Sequence, residues 1–146
     1  MGEVFRARDT RLHRDVAVKV LPKDFGVDGD RLRRFALEAK TLAALNHPNV
    51  LTIHDNGLHE GAPYLVSELL EGRSLREEMT GGVLPVRKAT EYALQIARGL
   101  AAANGKRVIH RDLKPENIFV TNDGPAPALH ATHREKCPRH LVSFAR

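Results

Sequence analysis

The chemistry of this sequence is concentrated in the segment "HRDLKPEN", at residues 110 to 117. Asp112 can accept a proton from a hydroxyl group, and the side-chain carbonyl of Asn117 is a hard oxygen ligand of the kind that Mg²⁺ prefers. Lys114, which lies between them, can neutralise the charge of a phosphate. Phosphoryl transfer depends mainly on positioning and charge neutralisation, so the segment indicates a phosphoryl-transfer site.

Short apolar segments flank these residues and predict the elements that position them. Val108-Ile109 predicts a strand before the segment, and residues 118–120 predict a strand after it. Such strands can brace the loop that Pro115 interrupts. Before them, Pro85 is suited to be the first residue of a helix that ends at Asn104-Gly105. The apolar stripe of this helix consists of Val86, Ala89, Ala93, Ile96, Ala97 and Leu100.

The first half of the chain predicts a sheet and one long helix. The predicted strands are residues 3–8, 15–20, 50–56 and 63–69. Residues 22–29 predict a loop, Asp30 a helix cap, and Ser74 the start of a short helix. Strands that gather before most of the helices are typical of the α+β class.

One carboxylate in the long helix needs a partner. The helix is predicted to run from Asp30 to Leu45, with Phe35 and Leu42 on its apolar face. Glu38 falls on that same face, three residues after Phe35 and four before Leu42. A buried carboxylate is costly unless a cation pairs with it, so a functional ion pair is expected here.

The composition excludes several other classes of protein. The 146 residues, 42% hydrophobic and 28% charged, are enough for one globular domain. No apolar run approaches the ~18 residues of a membrane span, and the charged N-terminus does not resemble a signal peptide. One cysteine, Cys137, suits a reducing cytoplasm. The net charge of +5 is dispersed and few aromatic residues accompany it, so we expect no nucleic-acid binding.

Several segments together resemble one known family. "HRDLKPEN" is similar to the catalytic loop of the eukaryotic-type protein kinases, and its lysine is typical of the serine/threonine subgroup. "GEVFRARD", "DVAVKVLP", "LNHPNVLTIHD" and "YLVSELLEG" resemble the bacterial branch of that family. The resemblance covers residues 1–124 and implies a two-lobe protein-kinase fold, incomplete at both ends. It places the small lobe at 1–67, the hinge at 68–72 and the start of the large lobe at 73–124.

The resemblance assigns roles to the charged residues. It makes Asp112 the base that orients the substrate hydroxyl, Lys114 the group that steadies the transferred phosphate, and Asn117 a Mg²⁺ ligand. Lys19, in "VAVK", would hold the α- and β-phosphates of ATP, and Glu38 would be its partner. A strand lysine is normally solvated, but the family spacing from Lys19 to Glu38 favours the nucleotide-binding role instead.

The resemblance also implies an adenine pocket. Backbone groups around Glu68 and Leu70 would bind the adenine, and Ser67 would lie behind it as a small gatekeeper residue. Ala17 and Phe119 would form its ceiling and floor, although either can also be a plain core residue.

Both ends of the chain depart from the family pattern. Gly2 and Val4 match the last glycine and the valine of the phosphate-covering loop G-x-G-x-x-G-x-V, whose other glycines are absent. We interpret Met1 as a start inside that loop, which leaves the first strand, residues 3–8, as an exposed sheet edge. "DFG" occurs only at residues 24–26, before the Glu38 helix, whereas the family places it shortly after the catalytic loop. We interpret this occurrence as a coincidence in a loop.

The residues after Gly124 do not resemble the sequences of the family. Residues 121–124 predict a turn, but Pro125 and Pro127 argue against a returning strand, so we expect residues 125–146 to be disordered. The abrupt change indicates a frameshift or a recombined gene end. His130, His133, Cys137 and His140 have a spacing that zinc can use, although an unstructured tail with an exposed thiol is the simpler interpretation.

By resemblance, the protein is a serine/threonine kinase that transfers the γ-phosphate of ATP, bound with Mg²⁺, to hydroxyl groups of an unidentified protein substrate. The alternative is an inactive, pseudokinase-like fragment that binds a nucleotide or a partner. The missing "DFG" after the catalytic loop keeps this alternative open.

Overall fold

The protein is described from a computed structural model, which covers residues 2–122, 127–129 and 141–144. The strands are β1 (Glu3–Asp9), β2 (Arg14–Val20), β3 (Ile53–His59), β4 (Ala62–Glu68), β5 (Gly72–Ser74), β6 (Ile118–Thr121), β7 (Pro127–Leu129) and β8 (Leu141–Phe144). The helices are α1 (Lys23–Val27), α2 (Gly29–Ala43), α3 (Leu75–Met79) and α4 (Val86–Gly105), and a 3-10 turn spans Pro115–Asn117.

The described residues form two compact units, and the α+β class is confirmed. The first unit contains residues 2–44, 52–69 and 141–144, and the second contains 45–51, 70–122 and 127–129. Along the chain, the change from the first unit to the second at Leu69–Leu70 lies within the predicted hinge.

The first unit is built on a five-stranded sheet in the order β3-β4-β2-β1-β8. The predicted β1–β2 hairpin is confirmed, with Ala7 opposite Val16 in the register. Its core consists of alternate residues on one face of the sheet, which is the burial that a period of two predicts. These core residues are Ala7, Val16, Val18, Tyr64 and Val66.

The turn between β3 and β4 is tighter than the sequence predicted. His59 pairs with Ala62, so only Glu60 and Gly61 connect the strands. Both have positive φ angles, 48° and 80°, which is the conformation of a type I′ hairpin turn. With this turn β3 ends at His59, and it begins at Ile53, so both ends lie three residues later than predicted.

The long helix is capped by Asp28 and not by Asp30. The Asp28 carboxylate accepts hydrogen bonds from the backbone N–H groups of Asp30 and Arg31, each at 3.1 Å. The helix ends at Ala43, before Leu45, and the predicted loop at 22–29 contains the short helix α1. The covered face of α2 carries Leu32, Phe35, Ala39 and Leu42, of which Ala39 is fully buried.

The second unit packs helices against a small sheet in the order β5-β6-β7. Leu75 of α3, Tyr92 of α4, and Ile118 and Val120 of β6 form its main core. The predicted helix after Ser74 is confirmed. The Ser74 hydroxyl accepts from the Glu77 N–H at 3.2 Å, and the Glu77 carboxylate accepts from the Ser74 N–H at 2.9 Å, which is a capping box.

Helix α4 ends as predicted at Gly105, but the strand predicted at Val108-Ile109 is wrong. Arg107 has a φ of 62°, its N–H donates to the carbonyl of Asn104, and the Val108 N–H donates to the carbonyl of Ala103 at 3.0 Å. This pair of bonds is a Schellman motif. The amide of Val108 is therefore used in ending the helix, and Ile109 is left 69% exposed.

Two strands lie in the tail that was expected to be disordered. β7 pairs antiparallel with β6, and β8 pairs parallel with β1. Pro127 is the first residue of β7, which is an edge strand, and a proline is tolerated there because it need not donate to a neighbour. The predicted exposed edge of β1 is likewise wrong, since β8 occupies it.

Candidate active site

The catalytic-loop candidates are held together by hydrogen bonds around Asp112. The side-chain NH₂ of Asn117 donates to the backbone carbonyl of Asp112 at 2.8 Å and to its Oδ2 at 2.9 Å. Lys114 Nζ donates to the same Oδ2 at 2.7 Å. The Asp112 side chain remains 49% exposed, so its carboxylate is fixed in orientation and still accessible to a substrate.

The backbone that carries Asp112 has an unusual conformation. Arg111 has a φ of 59°, and the Asp112 N–H donates to the carbonyl of His110 at 2.7 Å, which closes a three-residue turn. A non-glycine residue in this region costs of order 1 kcal/mol or more and is frequent at functional sites.

Asn117 lies at the end of the 3-10 turn and is only 1% exposed. Its N–H donates to the carbonyl of Lys114 at 2.9 Å, and its side-chain NH₂ is used by Asp112. Its Oδ1 is buried and has no hydrogen-bond partner. A buried amide oxygen without a partner is destabilising unless a ligand uses it, so Asn117 fits the position of a metal ligand.

The surroundings of the loop fix it to the rest of the second unit. Arg76 of α3 pairs with Glu116 of the 3-10 turn at 2.9 Å. Nearby on α3, Glu78 is nearly buried and pairs with Lys88 and with Arg73. The hydrogen bond from Lys88, together with the Arg73 guanidinium, holds the pKa of Glu78 below its ordinary value.

The nucleotide-binding candidates of the first unit lie on one face of its sheet. Val4 is directly opposite Lys19 across β1 and β2, and Ala17 is opposite Ser67 across β2 and β4. Directly opposite residues share a face, as do residues two apart in one strand, so these four side chains share a face. Lys19 is only 7% exposed, so its interpretation as a solvated strand lysine is wrong.

Ser67 and Glu68 lie at the end of β4, and their polar side chains are hydrogen-bonded. The Ser67 hydroxyl, which is buried, donates to the carbonyl of Glu68 at 3.2 Å. The Glu68 side chain accepts the N–H of Thr52 at 2.7 Å, while the Glu68 N–H donates to the Thr52 carbonyl at 3.0 Å. The serine is small, and its hydroxyl is turned towards the backbone of the predicted hinge.

The placement of Glu38 differs from the expectation. The covered stripe of α2 is centred on Ala39, and Glu38 lies beside it with an exposed side chain. Its carboxylate is therefore not buried on the apolar face, because the helix is rotated relative to the predicted stripe. The pairing of Glu38 with Lys19 stays a prediction.

Gly2 is buried beside the end of β2. A Cβ atom at this position would lie 2.5 Å from the backbone oxygen of Val20, so only glycine fits without a shift of the chain. This close approach explains why position 2 is a glycine without reference to a bound ligand.

Asp24-Phe25-Gly26 has a packing role in the first unit and lies in α1, not in a loop. The ring of Phe25 meets that of Phe35 edge to face, with centroids 5.9 Å apart, and the Arg31 guanidinium lies 5.0 Å from the Phe25 centroid. Asp24 is exposed in the first turn of α1. These contacts explain the residue types without any metal chemistry.

The remaining predicted site residues are distributed between the second unit and the tail. Leu70 and Phe119 belong to the second unit, and both are half-buried. The zinc alternative at His130, His133, Cys137 and His140 lies outside the described residues. Within the described ranges, no three His, Cys, Asp or Glu side chains cluster as a metal site.

Sequence reasoning missed the contacts that orient Asp112. The spacing of Asp112, Lys114 and Asn117 indicated three separate roles, whereas the structure shows all three side chains meeting at one carboxylate oxygen. The signal that could have indicated this is Pro115, whose fixed φ suits the first residue of the 3-10 turn that ends at Asn117.

Comparison with known protein families gives a match that includes both the sheet of the first unit and the catalytic-loop residues. Residues 1–129 match the protein kinase domain, past the predicted end at 124. The chain belongs to the protein kinase domain family.

Among similar proteins are serine/threonine-protein kinase PknB of Mycobacterium leprae, 42% identical over 126 residues, and PrkC of Bacillus subtilis, 38% identical over 141 residues. These matches cover 83% and 90% of this chain but only 20% and 22% of the relatives. The chain thus spans about a fifth of the length of these curated relatives.

The fold is similar to solved kinase domains. The crystal structure of the Mycobacterium tuberculosis PknI kinase domain matches with a TM-score of 0.77 and 28% identity, over 90% of this chain and 54% of that chain. The described residues therefore have part of a protein-kinase fold. None of their helices combines the length and apolar character needed to cross a bilayer.

Proposed function

We propose that the chain carries the hydroxyl-activating and nucleotide-holding residues of a serine/threonine protein kinase, which transfers the γ-phosphate of ATP to protein hydroxyl groups. The observation that carries this proposal is the Asp112 carboxylate, which Lys114 and Asn117 fix through one oxygen while half of the side chain stays accessible. The relatives named as serine/threonine kinases support the class of reaction.

Asp112 would orient the substrate hydroxyl and accept its proton as the new O–P bond forms. Its fixed orientation reduces the reorganisation needed for that step. Lys114, whose ammonium lies 2.7 Å from Asp112, is within reach of negative charge that gathers beside the reacting oxygen. Asn117 holds the loop closed through its NH₂ group and leaves Oδ1 for a ligand.

Mg²⁺ is the metal that we propose, with Asn117 Oδ1 as a ligand. Mg²⁺ favours oxygen ligands and often takes most of them from nucleotide phosphates and water. A single protein oxygen at this position is therefore enough to contribute to its binding. When bound with ATP, the ion would neutralise charge on the phosphate oxygens.

The nucleotide would be held by the sheet face of the first unit. Lys19 would neutralise the α- and β-phosphates, and Gly2 and Val4 would lie above them. Ala17, Ser67, Glu68, Leu70 and Phe119 stay predictions for the adenine, and Glu38 stays one for the partner of Lys19. We place this chemistry in a bacterial cytoplasm, because the relatives named above come from bacteria. We expect no nucleic-acid partner.

A second candidate function is nucleotide binding without phosphate transfer. It is favoured by one observation: the sequence after the catalytic loop contains no Asp-Phe-Gly, and the occurrence at 24–26 is used in packing. The chain would then lack the acidic metal ligand that the family reaction needs.

Two matched substitutions test the proposal. Asp112→Asn and Asp24→Asn each remove one carboxylate from a motif typical of kinases. We expect Asp112→Asn to lower phosphate transfer from ATP to serine- and threonine-containing peptides by about a hundredfold or more, and Asp24→Asn to leave it unchanged. Equal loss in both variants would contradict the assignment. Absence of transfer in the unmodified chain, together with measurable ATP binding, would establish the second candidate.

A further inference from the structure

Helix α3 is anchored beside the strand that follows the catalytic loop. Its first residue, Leu75, is 8% exposed and packs with Ile118 and Val120 of β6. The N-terminus of the helix is also closed by the capping box of Ser74 and Glu77. The residue that comes directly after Leu75 therefore starts from a fixed point near the end of the catalytic loop.

Arg76, the next residue of α3, reaches the middle of the 3-10 turn. Its Nε donates to Glu116 Oε1 at 2.9 Å, a contact between residues 40 positions apart in the chain. The Arg76 side chain is 44% exposed and that of Glu116 is 20% exposed. A single 3-10 turn is a weak element by itself, because its hydrogen-bond geometry is poorer than that of an α-helix. A contact from outside the turn can therefore decide where the turn lies.

The 3-10 turn determines where the two groups that orient Asp112 are placed. Lys114 directly precedes the turn and Asn117 is its last residue, and both side chains donate to Asp112 Oδ2, at 2.7 and 2.9 Å. The Asn117 amide must keep one orientation to serve this carboxylate through its NH₂ and a ligand through its unpartnered Oδ1. A misplacement of about 1 Å in such a site can cost about a hundredfold in rate.

We propose that Arg76 is a positioning residue for phosphate transfer. Through Glu116 it holds the 3-10 turn, so that Lys114 and Asn117 keep the Asp112 carboxylate in its orientation. This inference rests on the proposed kinase function and extends it to a residue outside the catalytic loop. A partly exposed ion pair adds little to overall stability. Loss of Arg76 should therefore change the rate of transfer and the order of the loop far more than it changes unfolding.

Arg76→Met in the full chain tests the proposal, since methionine keeps an unbranched side chain and removes both the donor and the charge. Arg87→Met is the matched control, because Arg87 Nε pairs with Glu91 Oε1 at 3.1 Å within α4. We expect Arg76→Met to lower the kcat for peptide phosphorylation about tenfold or more, with the KM for ATP within about twofold and the urea midpoint nearly unchanged. Arg87→Met should change none of these values. Arg76→Lys, which keeps a cation of similar reach, should recover most of the kcat.

Solvent exchange of the Asn117 side-chain NH₂, followed by NMR, gives a readout that does not need activity. We expect this exchange to be about tenfold faster in Arg76→Met and unchanged in Arg87→Met. The double variant Arg76→Met/Glu116→Gln should lose no more than Arg76→Met alone, because the two residues act as one pair.

Three results would overturn the positioning role of Arg76. They are unchanged Asn117 exchange in Arg76→Met, losses that add in the double variant, and a loss of kcat that is accompanied by a lower urea midpoint and not recovered in Arg76→Lys. The last result is what a merely structural role predicts. If the unmodified chain transfers no phosphate, the proposed kinase function is wrong, and the Asn117 exchange alone decides whether Arg76 orients the loop.

Discussion

The sheet of the first unit and the catalytic loop of the second unit are specified by the sequence in different ways. The sheet depends on the alternation of many apolar side chains, such as Val16 and Val18, and each makes a similar contribution to one core. The loop depends on a few specific contacts around Asp112 and on one residue, Arg111, with a positive φ. Substitutions in the sheet and in the catalytic loop should therefore have different effects.

Loss of a sheet core residue should mainly cost stability, since apolar burial is shared among many neighbours. Loss of a loop contact should cost less stability but should change the position of a functional group. The following variants test this comparison in order of decreasing effect.

The largest effect is expected in the core of the first unit. Tyr64→Ala removes a ring that is 6% exposed, which should lower the free energy of unfolding of this unit by about 3–5 kcal/mol. Hydrogen exchange of the β2 and β4 amides measures this loss. Leu58→Ala, at a position 53% exposed on β3, is the control and should change it by less than about 0.5 kcal/mol. Equal losses would show that the core is placed wrongly.

A smaller loss is expected in the catalytic loop. Asn117→Ala removes the NH₂ that donates to both the carbonyl and the carboxylate of Asp112, which should cost about 1–3 kcal/mol in urea unfolding. Asn122→Ala, at an exposed position after β6, is the matched control and should be nearly neutral. A neutral Asn117→Ala would mean that the loop does not depend on these bonds.

The ion pairs of Glu78 predict a pH dependence with a definite sign. Because its pKa is lowered in the folded protein, mainly by the hydrogen bond from Lys88, Glu78 contributes stability that is complete above its unfolded pKa, near 4.5. That stability is lost as the pH falls through the lower, folded pKa. The melting temperature of Glu78→Gln should therefore fall less between pH 6 and pH 3, and that of Glu91→Gln should follow the unmodified chain. A parallel decrease in all three proteins would contradict the pairing.

The smallest effect is a gain in stability at the end of α4. Arg107 adopts a φ of 62°, which a glycine adopts without the steric cost of a Cβ atom. Arg107→Gly should stabilise the protein by about 0.5–1 kcal/mol in urea unfolding. The same substitution at Arg98, inside α4, should instead destabilise it by about 1 kcal/mol. Effects of the same sign at both positions would rule out the Schellman motif.

Much of the fold could be predicted because periodicity is visible in the residues. The β1–β2 hairpin, the helix after Ser74, the end of α4 at Gly105 and strand β6 all follow from alternation, capping residues or glycine. The family resemblance extended this to the kinase domain, which the match over residues 1–129 confirms.

The predictions were wrong where a single hydrogen bond or the rotation of one helix determines the local structure. The Asp28 and Asp30 caps differ by two residues, and only the direction of the carboxylate distinguishes them. The strand predicted at Val108-Ile109 does not form because Arg107 adopts a positive φ, a conformation that glycine usually adopts. The strands of the tail were missed because pairing with an edge needs only a few residues and a vacant neighbour, which no local pattern shows.

The central claim is that Lys19 in the first unit holds the nucleotide and that Asp112 in the second unit activates the hydroxyl. Calorimetric titration of ATP with Mg²⁺ into the Lys19→Met and Asp112→Asn variants tests it most directly. We predict that Asp112→Asn binds ATP within about twofold of the unmodified chain, whereas Lys19→Met weakens binding about tenfold or more through the lost charged contact. Unchanged binding in Lys19→Met, or an equal loss in both variants, would contradict this division of roles.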